Sequence, residues 1–258
     1  MQVEPYRRVD QRTFDTLRPV EIIPGFHRNA EGSVLYRAGG TVVLCTASVD
    51  EKVPPFLEGR GKGWVTAEYQ MHPRANKERR ESRDGRGKAP SGRTQEIQRL
   101  IGRALRAAVD LELLGERQIS IDCDVLEADG GTRTAAITGS FVALAIAIHK
   151  LRERNVIERP VIREPVAAVS CGYVNHNLLL DLAYIEDSRA DVDLNLVATK
   201  SGALIEVQGT AEGAPIPRAY LDAMMEVGQS GIRTLVGIQE RTLASINIDL
   251  ASLVAPAG

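Results

Sequence analysis

From Ile119 to Val125 the apolar residues Ile119, Ile121, Cys123 and Val125 alternate with Ser120, Asp122 and Asp124. A period of two puts each set on its own face, which predicts a strand buried on one side. Similar segments predict strands over Val20–Phe26, Ser33–Tyr36, Thr41–Val49 and Trp64–Met71. Ala38-Gly39-Gly40 is the turn signal of a hairpin between the second and third of these. Residues 1–18 are polar and read as extended or loose. From Thr94 the period changes. Ile97, Leu100, Ile101, Ala104, Leu105, Ala108 and Val109 recur at steps of three and four, an amphipathic helix with Gln98, Arg99, Arg103 and Arg106 off the stripe. Gly115 ends this helical region. After the strand at 119–125, Ala135-Ala136-Ile137 opens an apolar, Ala-rich stretch that runs to about Lys150 and predicts a buried helix.

Leu151–Glu164 is a charged connector, and beyond it the β patterns resume. Pro165–Val174 and Leu178–Tyr184 flank the hairpin turn Asn175-His176-Asn177. Val192–Thr199 and Ala203–Gln208 flank a second turn, Lys200-Ser201-Gly202. Two helical stretches follow, Arg218–Val227 and Ile232–Ser245. Each half places a strand cluster before helices, which favours an α+β or layered architecture over a doubly wound sheet. We read residues 1–258 as one compact domain with a first half at 1–150 and a second at 151–258.

Composition narrows the class. At 258 residues, 43 % apolar and 26 % charged, the chain has ample material for a core. Its longest apolar run, Phe141–Ile148, is too short to span a membrane, and no charged-then-apolar leader opens it. Cys45, Cys123 and Cys171 are odd in number, widely spaced and set in apolar segments, which points to buried reduced thiols in a cytoplasm. The net charge is −2, but between His72 and Arg93 eight basic residues face three acidic ones, so that segment carries +5 and the rest −7. It lacks an apolar stripe and reads as a long surface arm suited to a nucleic-acid backbone. Arg74, Arg79, Arg80 and Arg83 in the arm, and Arg99 on the polar side of the helix, are the candidates for contact with a nucleic-acid backbone. A plain solvated loop, or one paired with a neighbouring subunit, fits the same charge run.

Two constellations suggest chemistry. Asp129-Gly130-Gly131-Thr132-Arg133-Thr134 joins the alternating strand to the buried helix. Paired glycines allow a sharp turn and close backbone approach, the helix start offers unpaired N–H groups, and Arg133 adds a permanent charge. That suits a phosphate-sized anion, although an ordinary strand-to-helix turn has the same form. Along Asp191–Leu196, Asp191, Asp193 and Asn195 share one face while Val192, Leu194 and Leu196 share the other. Asp187, at the end of the preceding strand, lies a short turn away. Carboxylates so crowded repel unless a cation lies between them, and oxygen ligands suit Mg²⁺ or Mn²⁺. An exposed acidic hairpin is the other reading. Gly-x-x-x-x-Gly-Lys-Ser/Thr, Gly-x-Gly-x-x-Gly, His-Glu-x-x-His and Gly-x-Ser-x-Gly are all missing, and His27, His72, His149 and His176 stand isolated.

Longer blocks carry a resemblance. Leu17-Arg18-Pro19, Ala30-Glu31-Gly32-Ser33-Val34-Leu35, Val43-Leu44-Cys45-Thr46-Ala47-Ser48 and Gly63-Trp64-Val65-Thr66-Ala67-Glu68-Tyr69 begin the series. Ser91-Gly92-Arg93-Thr94-Gln95-Glu96-Ile97-Gln98-Arg99-Leu100-Ile101, Asp122-Cys123-Asp124-Val125-Leu126, Ala128–Thr134 and Glu206-Val207-Gln208-Gly209-Thr210-Ala211-Glu212-Gly213 complete it. Over nearly its whole length the chain resembles the bacterial ribonuclease PH family, phosphate-dependent 3′ exoribonucleases that trim tRNA precursors. The resemblance implies two strand-and-helix units packed as one subunit and a homohexameric ring, a trimer of dimers. It implies inorganic phosphate as co-substrate bound by Arg93, Gly131, Thr132 and Arg133, and Mg²⁺ or Mn²⁺ held by Asp187 and Asp193. A non-catalytic RNA-binding ring subunit would lack those ligands, and a metal-dependent hydrolase would use water. Two departures stand out: Asp10-Gln11-Arg12 replaces the usual Asp-Gly-Arg, and the basic arm is richer in Arg and about one residue longer. Both are expected to concern RNA contacts or assembly.

Overall fold

The alternating segment at 119–125 lies in a five-stranded sheet, paired on both sides. A computed structural model of the chain describes residues 6–78, 80 and 89–256. The first sheet contains β1 (Val20–Pro24), β2 (Gly32–Ala38), β3 (Thr41–Asp50), β4 (Trp64–Met71) and β5 (Gln118–Glu127), in the order β1-β2-β3-β5-β4. All neighbours are antiparallel except β4 and β5. A parallel pair needs a crossover, and α1 (Gly92–Ala108) supplies it, burying Ile97, Leu100, Ile101, Ala104 and Leu105.

Helix α3 (Thr132–Glu153) packs against β2 and β3 on one side and β6 on the other. A helix covered all round needs no polar face, which explains its unbroken apolar run. By length and composition it could cross a membrane, but 89 % of its most apolar window is buried inside the protein. The second sheet contains β6 (Val166–Val174), β7 (Asn177–Leu180), β8 (Val192–Thr199) and β9 (Leu204–Ala211), all antiparallel in the order β7-β6-β8-β9. Helix α5 (Arg218–Ala244) covers its other face, where Val169, Cys171, Leu194, Leu196, Ile232, Leu235 and Val236 form a second core cluster. The layers run sheet, helix, sheet, helix, which is the α+β class expected.

Several local expectations need correcting. β1 stops at Pro24, because Gly25 turns the chain at φ +72°. Val109 leaves the helical stripe to bridge Ile162, and Asp110 caps a separate short helix, α2 (Leu111–Leu114). The strand expected over Leu178–Tyr184 ends at Leu180. There the guanidinium groups of Arg8 and Arg12 take the carbonyls of Leu180 and Asp181, and Asp181 turns away at φ +56°. The chain then forms α4 (Tyr184–Asp187), so Asp187 ends a helical turn rather than a strand. The two helices expected at Arg218–Val227 and Ile232–Ser245 are one. Gly228 and Gly231 allow α5 to lie close on the sheet: a Cβ at either would stand within 3 Å of Leu196 or Leu180 side-chain carbons.

Residues 6–18 are not loose. Arg8 is among the most buried side chains of the protein and forms a forked ion pair with Glu186, Nε to Oε1 at 2.8 Å and Nη2 to Oε2 at 2.7 Å. The three cysteines are free and buried. Burial pushes the Cys171 thiol up to about 12, in keeping with an inert structural role.

Candidate active site

The turn between β5 and α3 is built from backbone geometry. Gly130 and Gly131 both hold positive φ, +76° and +64°, and Gly131 caps the helix without a side-chain hydrogen bond. A Cβ on Gly130 would meet the carbonyl of Leu182 at 2.6 Å, so only glycine fits. The first N–H groups of α3 therefore point out of a helix of 22 residues with its positive dipole end free of a cap. Thr134 turns its hydroxyl back to the Gly131 carbonyl at 2.9 Å.

Distant residues clamp this turn. Arg18 donates to the Asp129 carbonyl at 2.6 Å and grips Asp181 with Nε and Nη2 at 3.0 and 2.7 Å. Its backbone N–H also donates to Asp181, at 2.8 Å. Thr41 donates to the Gly130 carbonyl at 2.7 Å and accepts from the Asp129 N–H at 3.0 Å. Arg18 and Asp181 are both buried; a forked pair of this kind fixes geometry as well as charge.

Two neighbouring elements bring a hydroxyl and an arginine to the turn, whose own helix carries Arg133. The Tyr69 hydroxyl on β4 meets Thr132 Oγ1 at 2.8 Å. Burial raises Tyr69, while Thr132, Arg93 and Arg133 pull it back. Arg93 stands in the first turn of α1, whose start is capped by Ser91 accepting from the Thr94 N–H at 3.1 Å. Arg133 Nη1 donates to Gln208 Oε1 on β9 at 3.1 Å, with Glu96 further off at 3.9 Å.

The carboxylates lie opposite. Asp193 projects from β8 on the less buried face with Asn195, while Val192, Leu194 and Leu196 are buried. Asp187 reaches it from α4, which Glu186 anchors through Arg8. Burial raises the Asp187 carboxyl, and Arg133, Arg93 and Arg18 lower it. Burial also raises Asp193, followed by repulsion from Asp187, with Arg133 opposing and Glu212 adding to the rise. Asp187 thus disfavours the charge on Asp193 beside nearby arginines, and a divalent cation would relieve that repulsion. Among the described residues no group of three or more His, Cys, Asp or Glu is arranged to hold a metal. The pair fits a cation that takes its other ligands from water and phosphate oxygens, as Mg²⁺ commonly does.

Arg93, Gly131, Thr132, Arg133, Asp187 and Asp193 therefore lie together. Arg99 is exposed on α1, and Arg74 and Arg80 are exposed at the start of the basic segment. Arg74 lines a cavity with Lys77, Asp129 and Tyr184. Arg79 and Arg83 lie outside the described residues. Sequence reasoning missed Arg8, Asp181 and Glu186, which hold the turn and α4 in place. Their pairing spans more than 160 residues and leaves no local period. Gln11 stands at φ +61°, where a glycine is at ease, and the next residue, Arg12, packs into the same network. Gln11 thus adjoins this buried network, its N–H donating to the Arg8 carbonyl at 3.0 Å.

Residues 16–149 match the model of the 3′ exoribonuclease family, domain 1, and residues 164–231 match domain 2. The chain is 54 % identical over 236 residues to the ribonuclease PH of Syntrophomonas wolfei, covering 92 % of this chain and 98 % of that protein. The crystal structure of rice (Oryza sativa) Rrp46 is similar in fold, with a TM-score of 0.73 at 18 % identity over 92 % of this chain and all of that one. An Archaeoglobus fulgidus exosome with RNA bound to the active site gives a TM-score of 0.72 at 23 % identity, over 90 % of this chain and 92 % of that one. By these matches over most of its length, the chain belongs to the 3′ exoribonuclease family of ribonuclease PH type.

Proposed function

We propose that the chain is a phosphate-dependent 3′-to-5′ exoribonuclease that shortens tRNA precursors and other RNA from the 3′ end, releasing nucleoside diphosphates. The observation that carries this is the junction of an anion-binding turn with a carboxylate pair: Arg133 acts on both Asp187 and Asp193. A phosphate nucleophile and an RNA phosphodiester can meet there. Phosphate attacks the phosphorus of the terminal phosphodiester, the P–O3′ bond breaks, and the departing 3′ oxygen takes a proton. The reverse reaction adds a nucleotide from a diphosphate.

Phosphate is already anionic, so no strong protein base is needed. The protein must hold two mutually repelling phosphates close and in line. Arg93, Arg133, Thr132 and the N–H groups that follow Gly131 bind the attacking phosphate. Asp187 and Asp193 would hold Mg²⁺ or Mn²⁺. Bound there, such an ion would supply charge neutralisation for the scissile phosphate and leaving oxygen. Arg18 with Asp181, and Arg8 with Glu186, keep the two halves of the site in register. In this reading residues 1–150 carry the phosphate site and residues 151–258 the metal ligands. Arg74, Arg80 and Arg99, with Arg79 and Arg83, guide the RNA backbone. The chain works as a homohexamer, a trimer of dimers, in the cytoplasm.

Incubation with a 3′-extended RNA, with and without phosphate, tests the reading. Release of nucleoside diphosphates that stops without phosphate is expected. Monophosphates released in phosphate-free buffer would instead mark a hydrolase, and RNA binding without release a non-catalytic ring subunit.

A further inference from the structure

We infer that Gln208 is a positioning residue for the nucleophile: its neutral amide orients Arg133 for the attacking phosphate without adding another carboxylate beside it. This deepens the proposed reading and rests on the assignment of Arg133 to phosphate.

The orientation of the Gln208 amide is dictated by its neighbours. Its Nε2 donates to Glu96 Oε1 and to Glu206 Oε1, each at 3.1 Å. Ionised carboxylates only accept, so the NH₂ group must face them and the oxygen must face Arg133. That oxygen accepts from Arg133 Nη1 at 3.1 Å. Glu206 is itself fixed by a fork from Arg103, Nε to Oε2 and Nη2 to Oε1, both at 2.8 Å. The path Arg103–Glu206–Gln208–Arg133 thus ties the outer face of α1 through β9 to the first turn of α3. Among the described residues Arg133 donates no other side-chain hydrogen bond. Its Nε and Nη2 donors remain available for the paired oxygens of a phosphate.

The chemistry of the holder matters. A carboxylate at this place would form an ion pair with Arg133 and compete with phosphate for it. An aliphatic side chain would leave a long arginine free to sample rotamers, and that freedom would be lost on binding. A neutral acceptor avoids both penalties. Glu96, the nearest carboxylate to Arg133, has its Oε1 occupied by the Gln208 amide and stays 3.9 Å from the guanidinium.

The test compares Gln208→Glu, equal in length but charged, with Gln208→Met, similar in length but without the amide. The phosphate KM at saturating RNA, the RNA KM at saturating phosphate, kcat and the phosphate-induced rise in Tm are measured for each. Gln208→Glu is expected to raise the phosphate KM ~10-fold or more, with the RNA KM changed less than about twofold. Gln208→Met is expected to raise the phosphate KM by about three- to tenfold. The phosphate-induced Tm rise should shrink in the same order, most for the charged variant. Wild-type phosphate KM and Tm rise in both variants would overturn the inference, as would equal changes in the two KM values, which a general packing role predicts. Gln208→Met carries the test alone should the charged variant fail to fold. Arg133→Ala separates the two levels. A phosphate KM unmoved by Arg133→Ala refutes the phosphate assignment itself. A KM raised by Arg133→Ala but not by the Gln208 variants refutes only the positioning role.

Discussion

Replacing Arg8 by methionine keeps most of the side chain's length and deletes its charge. In the folded chain both members of the Arg8–Glu186 pair are shielded from water, with side-chain exposures of 0 % and 2 %. The change removes the fork to Glu186 and the donors to the Leu180 and Asp181 carbonyls. Breaking a buried pair from one side costs about 3–5 kcal/mol, because the remaining charge stays buried and unmatched. Here Glu186 keeps the Ala183 N–H at 3.0 Å, and Arg12 stands 3.6 Å away. Those residual partners set the expected loss near the lower bound, about 3 kcal/mol, or roughly 6–12 °C in Tm for a chain of this length. Denaturant unfolding followed by the fluorescence of Trp64, at one protein concentration and one oligomeric state, measures it. Adding Glu186→Gln to Arg8→Met should recover at least ~1 kcal/mol, since the stranded charge is gone. Activity should fall as well, because α4 carries Asp187 one residue after Glu186. A loss below ~1 kcal/mol from Arg8→Met, or a double variant as unstable as the sum of the singles, refutes the reasoning.

Other outcomes follow from the same network. Gln11→Gly should stabilise the protein by about 0.5–1 kcal/mol, since it removes a left-handed conformation from a residue with a Cβ; a lower denaturation midpoint contradicts this. Folding raises the Asp193 carboxyl above its unfolded value, so its ionised form destabilises the metal-free fold at neutral pH, and that penalty fades as pH falls through the raised value toward ~4. Asp193→Asn should therefore increase Tm in chelator at neutral pH, lose the increase near pH ~4, and cut activity ~10²-fold or more. Calorimetry across pH that finds Asp193→Asn less stable at neutral pH counts against the crowded pair.

Much of the site is legible from local pattern. The change from period two to an unbroken apolar run, with Gly130 and Gly131 at the junction, marks the turn because each signal lies within a few residues of the next. The alternation of Asp191, Asp193 and Asn195 with Val192, Leu194 and Leu196 places the first three on one face for the same reason. What holds these parts together is not legible in that way. Arg18 pairs with Asp181 and Arg8 with Glu186 across 163 and 178 residues, and a polar residue that will be buried by a distant partner looks like any surface residue. Hence the N-terminal segment reads as loose and the strand before α4 reads too long. Gly228 and Gly231 mislead by propensity: alone they weaken a helix, while against Leu196 and Leu180 they are what allows α5 to pack.

The central claim is that the attacking group is inorganic phosphate held by Arg93 and the turn that carries Arg133. Labelled orthophosphate supplied with a 3′-extended RNA tests it most directly, followed by location of the label in the released nucleotide for the wild-type chain, Arg93→Ala and Arg133→Ala. The account predicts label in the terminal phosphate of a nucleoside diphosphate, with transfer strongly reduced in both variants at a phosphate concentration that saturates the wild type, while each variant stays folded. Unlabelled product, or label transferred at the wild-type rate by both variants, would contradict it.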